Sequence, residues 1–431
     1  MPIYNSALVE PNFPILGAMA SVSVIIVNFN VKYFLEQCLF SVRKAGTGLD
    51  LDIRVVDNAS TDGSQTYFRN RFPEVTFYWN DRNFGFAAAN NQALRDATGK
   101  YILFLNPDTI LPEDGLRSCT TCLDSQPDVG ALGVRMIDGS GRFLRESRRA
   151  FPDPVTALFK LTGMATLFPK SPHFARYHMG HLDPHQSHDT DVLAGAFMMV
   201  RAEVLRQTGG FDEAFFMYGE DIDLSYRIRQ AGWRNHYLAD CTILHFKGES
   251  TRKGSLDYLR MFYGAMAIFA RKHYGKRRAG LLSLGLQAGI VLRGISSAIG
   301  QGMGALAGGL RNNFSAGKRK NPGTLVIGSE ESFEKVNNLE AWTISAVGPM
   351  MRWAWSPGQA DKVVWMEQTA ALIRAEQWQE LCCCENGFGF KDCIALLGKL
   401  DGDVQVRIHA RGSHSIVGSG FAFVLPPERS V

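Results

Sequence analysis

Four apolar runs punctuate the first 110 residues, and each gives way to polar side chains. SVSVIIVNFN (21–30) is apolar on both alternating faces, as a strand covered on both sides of a sheet requires. The next segment, VKYFLEQCLFSVRKAG, changes to helical spacing of its apolar positions. LDIRVVDNAS (51–60) restores a strand, and FRNRFPEVTFYWNDRNFGFAAANNQALRDATG predicts a third strand, a turn and a helix entered at its alanines. KYILFLNPD is the fourth strand. Strands alternating with helices predict an α/β domain with a parallel, doubly wound sheet. Ligands of such sheets sit beyond the carboxyl ends of the strands, where Asn28, Asp57 and Asp108 all fall.

The pattern is more mixed over 130–250, with GALGVRMI, DVLAGAFMMVRAEVL, the acidic stretch FMYGEDIDLSYRIRQAGW and ILHFKGES in turn. An aromatic-rich helix is expected over 257–274. Residues 279–310 carry only Arg293 as a charge and are long enough to span a bilayer, but that arginine and the many Gly, Ser and Gln residues argue against a span. Flanked by KRR and KRK, the segment reads either as a helix or hairpin on an anionic membrane surface or as a linker packed on protein. From 322 the pattern restarts, with strands at TLVIG, WTISAVG, WQELCCCENG and VQVRIHA and helices at EQTAALIRAEQ and FKDCIALLGKL. The domains expected are a leader over 1–20, an α/β domain over 21–275, a basic and apolar linker over 276–320 and a second, small α/β domain over 321–431.

Composition narrows the function classes. At 431 residues, 45% hydrophobic and 20% charged, the chain can build real cores. A net charge of +4 gives little reason to expect a nucleic acid partner. The eight cysteines show no disulfide or zinc framework, since Cys119 and Cys122 form a lone CxxC and Cys382, Cys383 and Cys384 suit a strand. A reducing cytoplasm is the natural setting. The N-terminus has no basic region and three prolines, so it is a poor signal peptide.

VIIVNFN, VVDNASTDGS, NFGFAAANNQAL, FLNPDT, GAFMMVRAEVL, GGFDEAFFMYGEDIDLSYRIRQAGW and LHFKGES occur in this order over 21–250. Together they resemble the family 2 glycosyltransferases of GT-A fold, in particular the rhamnosyltransferase-like branch. LVIGSEES lacks GxGxxG, so the motif gives no support for dinucleotide binding by the second domain; it resembles the Rossmann-like accessory domains of some polysaccharide-synthesis transferases. Protein interaction or regulation is its default role.

A carboxylate at a strand end can accept hydrogen bonds from a base or a ribose, and the resemblance implies that Asp57 reads the base of a nucleotide sugar. The competing reading makes the whole DNASTDG run cap and turn chemistry. Asn83 and Gly85 suit a tight turn before a helix start that favours anions, and the family places this segment near the nucleotide and sugar. Asn106-Pro107-Asp108 stands where the family has its DxD metal motif, with Asn in place of the first Asp. A divalent cation, Mn²⁺ or Mg²⁺, on hard oxygen ligands would neutralise the diphosphate as it leaves. The resemblance implies that His245 completes this metal–diphosphate site with Asp108; a lone His after an apolar strand is otherwise structural. Lys247 and Ser250 could hold phosphate oxygens or form a solvated loop.

Inverting transfer needs one base to take the proton of the acceptor hydroxyl. The family carries that role on the Asp of its ED pair, here Asp221, with Glu220 as neighbour and fallback. Crowded carboxyls raise the proton affinity of one of them. Asp223 is expected to continue the helix and pair with Arg227 or Arg229. Asp191, Gly195 and Ala196 resemble the lining of the sugar and acceptor pocket. Trp233 reads as packing, and Arg145, Arg148 and Arg149 as a solvated basic loop rather than an acceptor-pyrophosphate contact.

The expected protein is an inverting glycosyltransferase that moves a sugar, rhamnose among the candidates, from a nucleotide-diphosphate sugar to a saccharide or lipid-linked saccharide acceptor in cell-surface polysaccharide synthesis. It would work in the cytoplasm, at the inner face of the membrane through a peripheral contact, with a protein partner or self-association through its second domain. Two alternatives stay open. A nucleotidyltransferase would show a Gly-rich basic loop near the N-terminus, absent from VIIVNFNVKYF. A catalytically silent nucleotide-sugar-binding protein is favoured by Asn106 and opposed by the intact Glu220-Asp221 pair.

Overall fold

The computed structural model describes residues 22–152, 156, 159, 164–168, 170–248, 256–274, 321–328, 351–353, 362–385, 388–400, 402 and 404–424. The leader over 1–20, the linker over 276–320, the strand expected at WTISAVG and Ser250 lie outside the described residues.

The first strand, β1 (Val22–Asn28), is buried at every position, which is why its sequence runs apolar instead of alternating. It pairs in parallel with β2 (Leu51–Asp57) on one side and β4 (Tyr101–Leu105) on the other, and β2 pairs with β3 (Val75–Trp79). The helices α1 (Lys32–Ala45), α2 (Ser64–Phe68) and α3 (Phe86–Leu94) connect them. To this point the sheet is the parallel one expected.

Beyond β4 it becomes mixed. The short β5 (Thr109–Ile110) and α4 (Gly115–Ser125) lead to β6 (Val129–Ile137). A ribbon of β7 (Arg148–Arg149) and β9 (Val192–Leu193) stands apart, and β8 (His188–Thr190) pairs with β11 (Arg234–His245). β10 (Phe197–Arg201) runs antiparallel between β4 and β6. The order is β3-β2-β1-β4-β10-β6-β11-β5, with β8 added to β11.

The second sheet, in the order β13-β12-β14-β15-β16-β17, comprises β12 (Asn321–Ile327), β13 (Met351–Trp353), β14 (Trp378–Glu385), β15 (Gln405–Ala410), β16 (Ser415–Gly418) and β17 (Phe421–Val424). Helices Lys362–Glu376 and Phe390–Leu400 cover it. Its apolar side merges with the first domain, since Val31, Phe34, Ile110, Leu244 and Phe246 share one buried cluster with Leu381, Leu397 and Ile408. Polar groups are matched across the same seam. Gln37 donates to Ser413 Oγ at 2.9 Å and Ser415 O at 2.8 Å and accepts from Ala410 N at 2.7 Å. Buried Glu36 accepts from Arg71, from the His414 N–H and from Ser415 Oγ. The Glu113 carboxylate accepts the Phe390 and Lys391 N–H groups, capping helix Phe390–Leu400 from the other domain. The second domain is thus packed on the first through a shared apolar cluster and buried hydrogen bonds.

Candidate active site

Strand register sets the first part of the site. Asn28 and Asp57 are direct partners at the ends of β1 and β2. Asn28 is fully buried and donates to Asp57 Oδ2 at 2.7 Å and to Ser64 Oγ at 3.0 Å. The Ser60 N–H donates to Asp57 Oδ1 at 2.8 Å. The geometry therefore contains the turn that the sequence offered as one of two readings, and makes Asn28 a support for Asp57 and not an exposed contact. Asn58 ties down the next loop, donating to Asn83 Oδ1 at 2.8 Å and accepting the Phe84 N–H at 3.1 Å. Gly85 has φ +85, and a Cβ there would lie 2.5 Å from Phe216 O, so this position needs glycine. The Phe86 N–H donates to that same carbonyl at 2.8 Å, joining the Asn83–Gly85 turn to the segment before Glu220.

Asn106, Asp108 and His245 come together although 139 residues separate the first from the last. β5 and β11 pair with Thr109 opposite His245, and the Phe246 N–H donates to Asp108 O at 3.0 Å. His245 Nε2 lies 3.3 Å from Asp108 Oδ1 and 3.5 Å from Asn106 Nδ2. Both Asp108 and His245 are buried. His245 Nδ1 is buried without a hydrogen-bond partner, so no bond at that nitrogen fixes the ring's tautomer, and the polar neighbours of the ring face Nε2. One carboxylate, one imidazole and one amide, convergent on one point, are a donor set that would fit a divalent cation. Among the described residues no group of three or more His, Cys, Asp and Glu side chains is so placed. Lys247, two residues after His245, is ion-paired with Glu146.

The acidic pair opens the helix Glu220–Gln230. Two successive left-handed residues, Tyr218 at φ +69 and Gly219 at φ +84, turn the chain into it, a strained approach for a tyrosine. Glu220 is buried, and its Oε2 has no hydrogen-bond partner. Burial and then the Asp221 charge push the Glu220 carboxyl up to about 8. Asp221 Oδ2 is ion-paired with Arg149 and accepts the Gly195 N–H at 3.2 Å. The next residue, Ala196, accepts the Asn106 N–H through its carbonyl at 3.0 Å. One dipeptide, Gly195-Ala196, thereby joins the acidic pair to the Asn106–Asp108–His245 set.

Asp223 pairs with Arg227 as expected, at 2.6 Å, and also meets Lys272 at 2.8 Å and His273 at 2.7 Å. Burial opposes its charge, but the Arg227 guanidinium and the hydrogen bonds from Lys272, His273 and Arg227 outweigh it and hold the carboxyl below its ordinary value. Arg229 pairs instead with Asp191, at 3.4 Å. Trp233 packs against the core and donates to Gln207.

The basic loop needs correction. Arg148 is buried and bonded to the carbonyls of Leu182 and Asp183, and Arg149 sits on Asp221. The strand alternation of β7 sends the two side chains to opposite sides, and RESRR carries no sign of which partners they meet.

Residues 23–209 match the family model described as Glycosyl transferase family 2. Over 287 residues the chain is 28% identical to the N-acetylglucosaminyl-diphospho-decaprenol L-rhamnosyltransferase of Mycobacterium tuberculosis, covering 63% of this chain and 92% of that one. It is 32% identical over 180 residues to rhamnosyltransferase WbbL of Escherichia coli, covering 39% and 63%. Among solved structures it is similar to the mannosyltransferase PcManGT from Pyrobaculum calidifontis in complex with GDP-Man and Mn²⁺, at 19% identity and a TM-score of 0.41, covering 69% of this chain and 82% of that one. Residues 23–209 are a family 2 glycosyltransferase domain, and the protein that carries them is a glycosyltransferase.

Proposed function

We propose that the protein is an inverting transferase that moves a deoxyhexose of the rhamnose class from a nucleotide-diphosphate donor, such as dTDP-rhamnose, to a saccharide carried on a lipid diphosphate. The observation that carries this reading is the Gly195-Ala196 link. It holds a cation-competent set (Asn106, Asp108 and His245) next to a carboxyl pair of split proton affinity. The names of the two relatives support the sugar, and that of the mycobacterial relative supports the acceptor.

In this reading Asp57, held by Asn28, meets the base of the nucleotide, and the Asn83–Gly85 turn lines the nucleotide and sugar. Asp108 and His245 hold a divalent cation with the diphosphate, and Asn106 adds its amide oxygen or a ribose contact. The bound cation, Mn²⁺ or Mg²⁺, supplies the positive charge that makes the nucleoside diphosphate a competent leaving group. Asp221 takes the proton of the acceptor hydroxyl as that oxygen attacks the anomeric carbon from the face opposite the diphosphate. Lys247, on the strand end after His245, exchanges Glu146 for a phosphate oxygen. The work takes place on the cytoplasmic side of a membrane, where a lipid-linked acceptor is reached from the surface. Among the described residues no helix is long and apolar enough to cross a membrane, and 279–310 lies outside them.

The test is a donor screen with a polyprenyl-diphosphate saccharide acceptor, with and without Mn²⁺ or Mg²⁺, read by mass spectrometry of released nucleotide and product. Wild type should turn over a dTDP-deoxyhexose only with the cation, and Asp221→Asn should slow it by about 10²–10⁴. Full turnover by Asp221→Asn would remove the assigned base.

A further inference from the structure

Two neighbouring carboxyls at the head of one buried helix cannot both ionise cheaply, so their surroundings decide which one carries the charge. Here those surroundings are unequal. Glu220 Oε2 is buried with no partner. Asp221 accepts from three donors: Arg149 and the Gly195 N–H at Oδ2, and the Ile222 N–H at Oδ1 at 2.8 Å.

Arg149 comes from β7, far from the helix in sequence, and its Nη2 also donates to Leu193 O at 3.2 Å. Its side chain is 12% exposed. Burial works against the guanidinium charge, but Asp221 and then Tyr177 hold it well above the ordinary arginine value. The other charged groups near the helix head are committed elsewhere. Asp223 is engaged by Arg227, Lys272 and His273, and Asp191 by Arg229.

We propose that Arg149 is the positioning residue that selects Asp221 over Glu220 as the base, by placing its guanidinium on the Asp221 carboxylate. The proposal rests on the reading of Asp221 as the base. It adds a reason why the chemistry falls on that member of the pair: Asp221 is held and aimed by a guanidinium and two N–H groups, while Glu220 Oε2 has none. During transfer the acceptor O–H bond breaks toward Asp221, the bond from acceptor oxygen to anomeric carbon forms, and the bond from anomeric carbon to phosphate oxygen breaks. Arg149 keeps all its protons throughout. A residue needed only for folding would give none of the selectivity described next.

The experiment compares pH profiles of kcat/KM for wild type, Arg149→Met, Arg149→Lys and Arg149→Met combined with Glu220→Gln, with nucleotide binding measured on each. In Arg149→Met the acid limb should move to higher pH, with turnover below the limb falling about tenfold for each unit of movement and donor KM unchanged. Arg149→Lys, which retains the charge, should keep the limb close to wild type. Adding Glu220→Gln to Arg149→Met should recover turnover near neutrality, because the negative charge can then reside only on Asp221. An unmoved limb in Arg149→Met, or no recovery in the double variant, overturns the proposal. If Arg149→Met does not bind nucleotide, an Arg149→Lys limb that moves as far as loss of the charge demands overturns it too. Asp221→Asn separates the two levels: full turnover in that variant removes the base itself, whereas an inactive Asp221→Asn beside an unmoved Arg149→Met limb removes only the selection by Arg149.

Discussion

Asp108 and His245 sit at the paired ends of two sheet strands, whereas Glu220 and Asp221 open a helix that reaches the sheet through loops. The strand-end set is held by backbone register, with Thr109 opposite His245. Behind it Phe246 packs on Phe34, ring centroids 5.4 Å apart, inside the core shared with the accessory domain. The helix-head pair rests on a separate cluster that includes Val192, Phe215, Ile222 and Phe269. It depends on the left-handed turn at Tyr218 and Gly219, on Arg149 from a two-residue strand and on the Gly195 N–H. A site built on register is rigid by construction, and one built on ion pairs and loops can be retuned by a single distant residue. The donor side and the acceptor side should accordingly fail in different ways.

The largest effect expected sets the two directly against each other. Asp221→Asn should lose turnover by about 10²–10⁴ while nucleotide affinity, measured calorimetrically, stays at the wild-type value. His245→Ala should weaken nucleotide binding in the presence of Mn²⁺ and raise the Mn²⁺ concentration needed for turnover. Chelation should abolish turnover in wild type, and Mn²⁺ or Mg²⁺ should restore it. Equal loss of nucleotide binding in both variants would erase the distinction between the two sides.

The accessory domain offers the next handle. Glu36 is buried at the seam and holds Arg71 at 2.6 Å, the His414 N–H at 3.2 Å and Ser415 Oγ at 2.5 Å. Removing a buried partner of this kind costs about 3–5 kcal/mol, so Glu36→Ala should lower the urea midpoint strongly. Because the shared core backs the strand that carries His245, donor KM should rise before acceptor KM does. A rise confined to acceptor KM would show that the seam supports the other side.

Smaller still is the effect at Asp57. Its two oxygens already accept from Asn28 and from the Ser60 N–H, and a hydrogen bond from a base would use a remaining lone pair. Asp57→Ala should weaken nucleotide binding about tenfold, the scale of one bond to a charged acceptor, and leave turnover of the saturated enzyme nearly unchanged. An unaltered affinity would return Asp57 to the turn alone.

The same comparison explains what was legible in the sequence. The strand-end residues announce themselves because an apolar strand stops at them: VIIVN, RVVD and ILFLNPD each place a polar group at a carboxyl end, and parallel pairing then lines those ends up. His245 also ends a strand, but that pattern alone reads as structural, and its place beside Asp108 followed only from the family resemblance. Arg149 was not legible. Nothing in RESRRAFP distinguishes an arginine that faces solvent from one turned onto a carboxylate 72 positions later, since the outcome depends on how β7 pairs with β9. In the second domain β12, β14, β15 and the two helices that cover the sheet were readable by period, whereas the short β13, β16 and β17 were not; nor was the seam, because Glu36 and Gln37 look like ordinary polar positions on an amphipathic helix until β15 and β16 arrive opposite them.

The finest test lies in the proton that Glu220 keeps. Burial and the neighbouring Asp221 charge raise its carboxyl from 4.5 to about 8. Between those values the folded protein holds a proton that the unfolded chain has released, so the folded state binds more protons and its stability falls as pH rises. The stabilising contribution is complete below the lower value and gone above the upper one. Glu220→Gln removes the titration while keeping the shape, so the slope of unfolding free energy against pH across this window should flatten relative to wild type. The flattening reports on the acceptor side alone, since the strand-end carboxylates stay in place. A slope that persists unchanged in Glu220→Gln would mean that another group carries the proton and that the pair at the helix head is not divided as its partners imply.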